Sequence, residues 1–274
     1  MSRYRLCRLI LLAGLALPLW AAAGCSRPIN VPAALSGNAV TKNGDQLGGL
    51  IPDLMNQIGA KIGCTFVWTP VARMRLETMF QNGAADVLVA SVKVARRDRE
   101  GIFIPLIDTR ATLISVAGSR APVHSMQELL ERRELRVVLV RGFDYGPGYQ
   151  AMAAQLAAQG RLYLQPHPGK VARMLADGMA DVTVITGISF ADGLLNDSHA
   201  GISGETMRSE PLADLPWQKS GFYLSKKSLT AADRALLEQA LTSSVSSGTW
   251  WQAFKRYYPS RLLADSARPL AADR

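Results

Sequence analysis

Three arginines, Arg96, Arg97 and Arg99, crowd one turn of this chain just after the strand-like run Ala85-Asp86-Val87-Leu88-Val89. The planar guanidinium offers a fork of N–H donors that meets both oxygens of a carboxylate, so such a turn is a candidate anion contact. A second candidate is Gly142-Phe143-Asp144-Tyr145-Gly146, where the buried-looking strand Leu135 to Val140 runs into a helix. Free backbone N–H groups at such a junction attract anions, and Phe143, Asp144 and Tyr145 add stacking and polarity. Arg73, at the start of another helix, is a further cation within reach of a cleft. Enzyme constellations are not evident. His124, His167 and His199 stand apart, with no Ser-His-Asp arrangement and no metal-ligand spacing. No catalytic residue, metal or cofactor is expected.

The elements that must position these groups show themselves through a repeat. Val71-Ala72-Arg73-Met74 opens a short amphipathic helix, with Met74, Met79 and Phe80 on its apolar side, that runs to Gly83 and the strand beyond. Val171-Ala172-Arg173-Met174 leads in the same way to Gly178 and Ala180-Asp181-Val182-Thr183-Val184. Gly83 to Asp86 and Gly178 to Asp181 are equally spaced, and two αβ units about 95 residues apart predict two similar lobes. Asp86 and Asp181, common to both, are read as fixing the helix-to-strand turn. Only the first unit continues into the arginines.

Leu50, Leu54 and Ile58, at i, i+4 and i+8, mark the core face of a helix ending near Gly63, and Cys64 to Trp68 is the next strand. This βαβαβ order implies a parallel sheet covered by helices. Gly118 to Pro122 breaks the pattern and is read as the first crossing between lobes, with the return near Glu205 to Pro211. Ser125 to Glu128 is a capping box. Thr230 to Asp233 caps a long helix burying Leu236, Leu237, Ala240, Leu241 and Val245, and Thr249 to Phe254 starts an aromatic helix read as packing. The expected boundaries are 25–117 and 209–259 for the first lobe, 118–208 for the second, and 260–274 for a loosely ordered tail.

Arg3, Arg5 and Arg8 precede the apolar run Leu9 to Trp20 and then Ala21-Ala22-Ala23-Gly24. This is the outline of a secretory signal over 1–24, cleaved after Ala23 or Gly24. The apolar run is too short to span a membrane comfortably. The formal charge of +9 falls by three with those arginines, and the rest is scattered, so nucleic acid is not an expected partner. A mildly basic surface suits small anions. Cys7 leaves with the signal. Cys25 and Cys64 then precede or open strands whose parallel pairing would bring them together, which predicts a disulfide in an oxidising compartment. The alternative is a lipidated Cys25, because Ala22-Ala23-Gly24-Cys25 outlines a lipoprotein signal, although Ala21 stands where leucine is preferred.

Gly49-Leu50-Ile51-Pro52-Asp53-Leu54, Gly83-Ala84-Ala85-Asp86-Val87, Arg97 followed by Phe103 and Pro105, and Val140-Arg141-Gly142 form a series. Ser220-Gly221-Phe222-Tyr223-Leu224-Ser225-Lys226-Lys227, Gly248-Thr249 and Arg256-Tyr257-Tyr258-Pro259 complete it. In order and spacing, over roughly residues 28 to 259, this series resembles the family 3 extracellular solute-binding proteins, the amino-acid-type receptors of ABC importers. The resemblance implies an α/β, two-lobed periplasmic-binding-protein-like fold (type II), with two hinge segments and a ligand cleft between the lobes that closes on its solute. It further implies a monomeric periplasmic receptor that captures a small carboxylate-bearing solute, an amino acid or an organic acid, for an ABC permease in the inner membrane.

In that family an arginine at the place of Arg97 pairs with the ligand carboxylate. Ala90 and Val92 on the approach to it join Arg73, Gly142, Phe143, Asp144, Tyr145 and Thr186 as candidate ligand contacts. Three positions depart from the family pattern. Val92 replaces a Ser or Thr, Thr186 replaces the acid that holds an α-ammonium, and Pro32-Ala33-Ala34 replaces a cleft aromatic. A carboxylate ligand without a free amine fits these departures as well as an amino acid does. Some relatives on the fold are enzymes, such as periplasmic cyclohexadienyl dehydratases, which need a cleft acid; others are sensors for membrane kinases or chemoreceptors.

Overall fold

The structure, a computed structural model, describes residues 24–116, 118–196, 207–258 and 263–270. The export signal expected over 1–24 therefore lies outside the described residues except for Gly24.

The first lobe opens with β1 (Ile29–Ala33), a hairpin of β2 (Thr41–Asn43) and β3 (Gln46–Gly48), α1 (Leu50–Ile62) and β4 (Phe66–Pro70). It continues through α2 (Arg73–Gln81), β5 (Val87–Val92), α3 (Ala95–Glu100) and β6 (Gly101–Thr109). The i, i+4, i+8 stripe of α1 is inside, with Leu50, Leu54 and Ile58 all buried. Each such side chain contributes on the order of 1.5–3 kcal/mol. Gly63 ends the helix in the left-handed region at φ 70°, where glycine carries no steric penalty. On α2, Leu76 and Phe80 take the core positions and Met74 is 60 % exposed, which corrects its expected place on the apolar side.

β1 and β4 pair in parallel with Ile29 opposite Phe66. That register draws Cys25 and Cys64 together, and they form a disulfide with Cα atoms 4.9 Å apart. The Cys25 sulfur so engaged cannot also carry a lipid thioether.

The second lobe holds β7 (Thr112–Val116), α4 (Met126–Glu131), β8 (Val137–Val140), α5 (Pro147–Ala158), β9 (Leu162–Gln165), α6 (Pro168–Ala176), β10 (Thr183–Ile185), α7 (Gly187–Asn196) and β11 (Met207–Pro211). β7 is the centre of a three-stranded sheet, antiparallel to β10 and β11. β7 thus precedes the crossing expected at Gly118 to Pro122 yet shares its sheet with β10, and β11 covers the return expected near Glu205 to Pro211. The Ser125 cap accepts from Glu128 N at 3.0 Å.

The chain returns as β12 (Gln218–Ser225), inserted between β5 and β6, then α8 (Ala231–Ser246), α9 (Thr249–Tyr257) and β13 (Ala267–Arg268). Gly221 is required where β12 crosses β6, because a Cβ there would stand 1.9 Å from Ile104 O. Within α8, Leu237 and Leu241 are buried, while Leu236, Ala240 and Val245 pack partly buried at its edge. The described part of the tail is not loose. Leu263 and Ala267, four residues apart, are each 3 % exposed, and β13 adds an edge strand to β6. Among the described residues, no helix is long and apolar enough to cross a membrane.

Candidate functional site

A cavity of about 160 Å³ lies between the lobes. The first lobe lines it from the start of α2 (Arg73), the end of β5 (Ser91, Val92) and α3 (Arg97). The second lobe contributes the turn Gly142 to Tyr145 and the junction of β10 with α7, Thr186 to Asp192. Of the sequence candidates, Arg73, Val92, Arg97, Gly142, Phe143, Asp144, Tyr145 and Thr186 all line it. Ala90 lies in β5, next to Ser91.

Arg97 is already held. Its Nε and Nη2 lie 2.9 and 2.8 Å from Glu77 Oε2, and Nη1 donates to Ser91 Oγ at 2.7 Å and to Val92 O at 3.1 Å. An internal acid thus occupies the fork that the family resemblance reserves for a ligand. Arg96, half exposed, reaches across to Asp144 Oδ2 at 3.4 Å, and Arg99 points to solvent.

Arg73 differs. Its guanidinium carbon sits 4.8 Å from the centre of the Phe143 ring on the opposite lobe, a cation–π contact. Among the described residues no acid or carbonyl accepts a hydrogen bond from it. Burial lowers its pKa, with the nearby Arg97 charge acting in the same direction and Tyr145 and Asp192 opposing.

The glycine turn is shaped from within. Gly142 and Gly146 have φ of 80° and 101°, Gly146 N donates to Asp144 Oδ1 at 2.9 Å, and Phe143 N to Val140 O at 3.2 Å. Those two N–H groups are consequently not free for an anion, contrary to the expectation for this turn. Tyr145 packs edge-on against Phe143 and Tyr149, accepts from Thr186 N at 3.4 Å, and through its carbonyl accepts from Gln218 of the first lobe. Burial pushes its phenol up to about 12. Thr186 caps α7, its Oγ1 accepting from Ser189 N at 3.2 Å.

Asp192, not singled out from the sequence, ties the lobes together. From α7 its carboxylate accepts from Asn38 N at 2.9 Å, Ser36 Oγ at 3.4 Å and Tyr258 OH at 2.8 Å, all on the first lobe. Burial pushes the carboxyl up to about 7, against the opposing pull of those hydrogen bonds. A lone acid in the apolar run Ile188-Ser189-Phe190-Ala191-Asp192 was the available signal. Trp250 and Phe254 pack together as expected, and Tyr258 stacks on Phe254, yet all three also line the cavity. Among the described residues, no group of three or more His, Cys, Asp or Glu could hold a metal ion.

Two α/β lobes joined by two crossings, with a small cavity between them, define a solute-binding architecture. Residues 36–260 match the bacterial extracellular solute-binding proteins, family 3, and the chain belongs to that family. Among curated proteins, none matches the chain. Solved structures share the fold at low identity. A putative L-cystine ABC transporter from Listeria monocytogenes is 18 % identical at a TM-score of 0.66, covering 89 % of this chain and 100 % of its own. A histidine kinase sensor domain with similarity to periplasmic binding proteins is 17 % identical at 0.67, covering 85 % and 96 %. An ancestral amino-acid-binding protein, a precursor of cyclohexadienyl dehydratase, is 13 % identical at 0.66, covering 84 % and 95 %.

Proposed function

We propose that this protein is a non-catalytic periplasmic receptor that closes on a small carboxylate-bearing solute and delivers it to an ABC permease. The carrying observation is Arg73. It is a cation on the cleft wall, over the Phe143 ring, with burial lowering its pKa and no acid ion-paired or hydrogen-bonded to it among the described residues, so an incoming carboxylate finds an unfilled fork. The role implied for Arg97 passes to Arg73, because Glu77 already fills the Arg97 fork. Arg97 instead stiffens the wall. The family match supports capture of a solute, and the export signal read over 1–24 supports the periplasm. Catalysis is not part of this reading, since Asp144 and Asp192 are both engaged in hydrogen bonds.

Thermal melting against a panel of amino acids and organic acids tests it. A true ligand at a hundred times its Kd adds about 2.7 kcal/mol of stability, and Arg73→Ala should abolish that gain. Melting unchanged by every carboxylate in the panel contradicts the proposal. Loss of labelled-solute uptake in a deletion strain separates delivery to a permease from signalling to a membrane kinase.

A further inference from the structure

Each acid at the cleft already has partners. Asp144 accepts from Gly146 N through Oδ1 and faces Arg96 through Oδ2. Asp192, 1 % exposed, accepts from Asn38, Ser36 and Tyr258. Glu77, next to the wall, holds Arg97. Thr186, where the family resemblance implies an acid for an ammonium group, caps a helix instead. An ammonium entering this cleft loses its water and meets acceptors already in use.

The cations do not balance in the same way. Glu77 matches Arg97 and Asp144 matches Arg96, whereas Arg73, among the described residues, has the Phe143 ring but no ion-paired or hydrogen-bonded acid. A ring covers the face of a guanidinium and leaves the N–H groups in its plane available. The rest of the wall is largely apolar, including Leu50, Ile107, Ile188, Phe222 and Trp250. We propose that the ligand is a monocarboxylate lacking an ammonium group, with a short aliphatic or aromatic body, anchored by Arg73. This rests on the receptor reading of the same cleft and narrows it from amino acids and organic acids to the latter.

Calorimetric titration of the mature protein with matched probes tests the inference. The probes are 3-phenylpropionate against L-phenylalanine and 4-methylpentanoate against L-leucine, with 3-phenylpropanamide as the uncharged control. An unaminated acid should bind tighter than its amino acid, the amide should not bind, and Arg73→Gln should weaken the acid by about 100-fold. Arg73→Lys, which keeps the charge without the fork, should lose less and serves if Arg73→Gln does not fold. An amino acid binding as tightly as its unaminated partner, or tighter, overturns the ligand class and leaves the carboxylate receptor standing. Full affinity in both Arg73 variants overturns the anchor. An amide binding as tightly as the acid, or no binding by any probe, overturns both the inference and the receptor reading.

Discussion

Arg73 and Arg97 are two guanidiniums in one wall with opposite energetics. Arg97 is a structural cation whose removal leaves Glu77, Ser91 and the Val92 carbonyl short of a donor, so Arg97→Ala should cost about 1–3 kcal/mol. Among the described residues Arg73 makes no such bonds, and burial disfavours its charge, so Arg73→Ala should melt at or above the wild-type temperature while losing ligand. Melting curves of the two variants check this, and a destabilised Arg73→Ala would contradict it. Asp192 adds a pH dependence at the same scale. Its carboxyl has a folded pKa near 7, above its unfolded value near 4, so the folded state binds the extra proton between those limits. Stability from this group is full below pH 4 and declines as pH rises to about 7. Asp86, Asp181 and Asp233 are shifted downward, and their contributions fall away only at pH below about 4. Wild-type protein should therefore unfold at lower denaturant at pH 7.5 than at pH 5, and Asp192→Asn should flatten that slope.

At the scale of elements, the repeated helix-Gly-x-Ala-Asp unit explains itself. Asp86 accepts from Asn30 N at the head of β1 and from both Nη atoms of Arg27, while Asp181 accepts from Arg136 N just before β8. In each lobe the aspartate after the helix pins the start of a neighbouring strand. Asp86 is 2 % exposed, whereas Asp181 keeps a third of its side chain in water. Asp86→Asn should accordingly cost about 1–3 kcal/mol in denaturant unfolding, and Asp181→Asn under about 1 kcal/mol. Equal costs would contradict this effect of burial. These units were legible in the sequence because their signals are local, as were the α1 face, the two caps, the glycine turn and Arg73. The pairing of β7 with β10 and β11 was not legible because the apolar run Ala111 to Val116 reads the same in either lobe's sheet. Asp192 and Tyr258 were missed as cleft residues because their link spans 66 positions. Glu77 was missed as the partner of Arg97 because it sits 20 residues away on a different helix.

For the whole molecule, the disulfide and the hinge are separate from the cleft. The Cys25–Cys64 bond closes a loop spanning 39 positions at the far end of β1 and β4. The double change to serine should cost about 2–4 kcal/mol, lowering Tm by roughly 5–15 °C for a chain of this size, with ligand affinity unchanged. A loss of affinity at constant stability would contradict that separation. Near the crossings, Trp217 lies between Arg110 at 4.6 Å and Arg268 at 4.3 Å, so the tail strand β13 braces both connecting segments. Arrangement of the lobes around one small cavity makes its occupant the central question. The most direct measurement is the crystal structure of the protein with the tightest carboxylate found by calorimetry. Carboxylate density is expected between the lobes, within hydrogen-bonding distance of the Arg73 guanidinium and with Arg97 still on Glu77. Density outside the cleft, or a bound carboxylate turned away from Arg73, would contradict it.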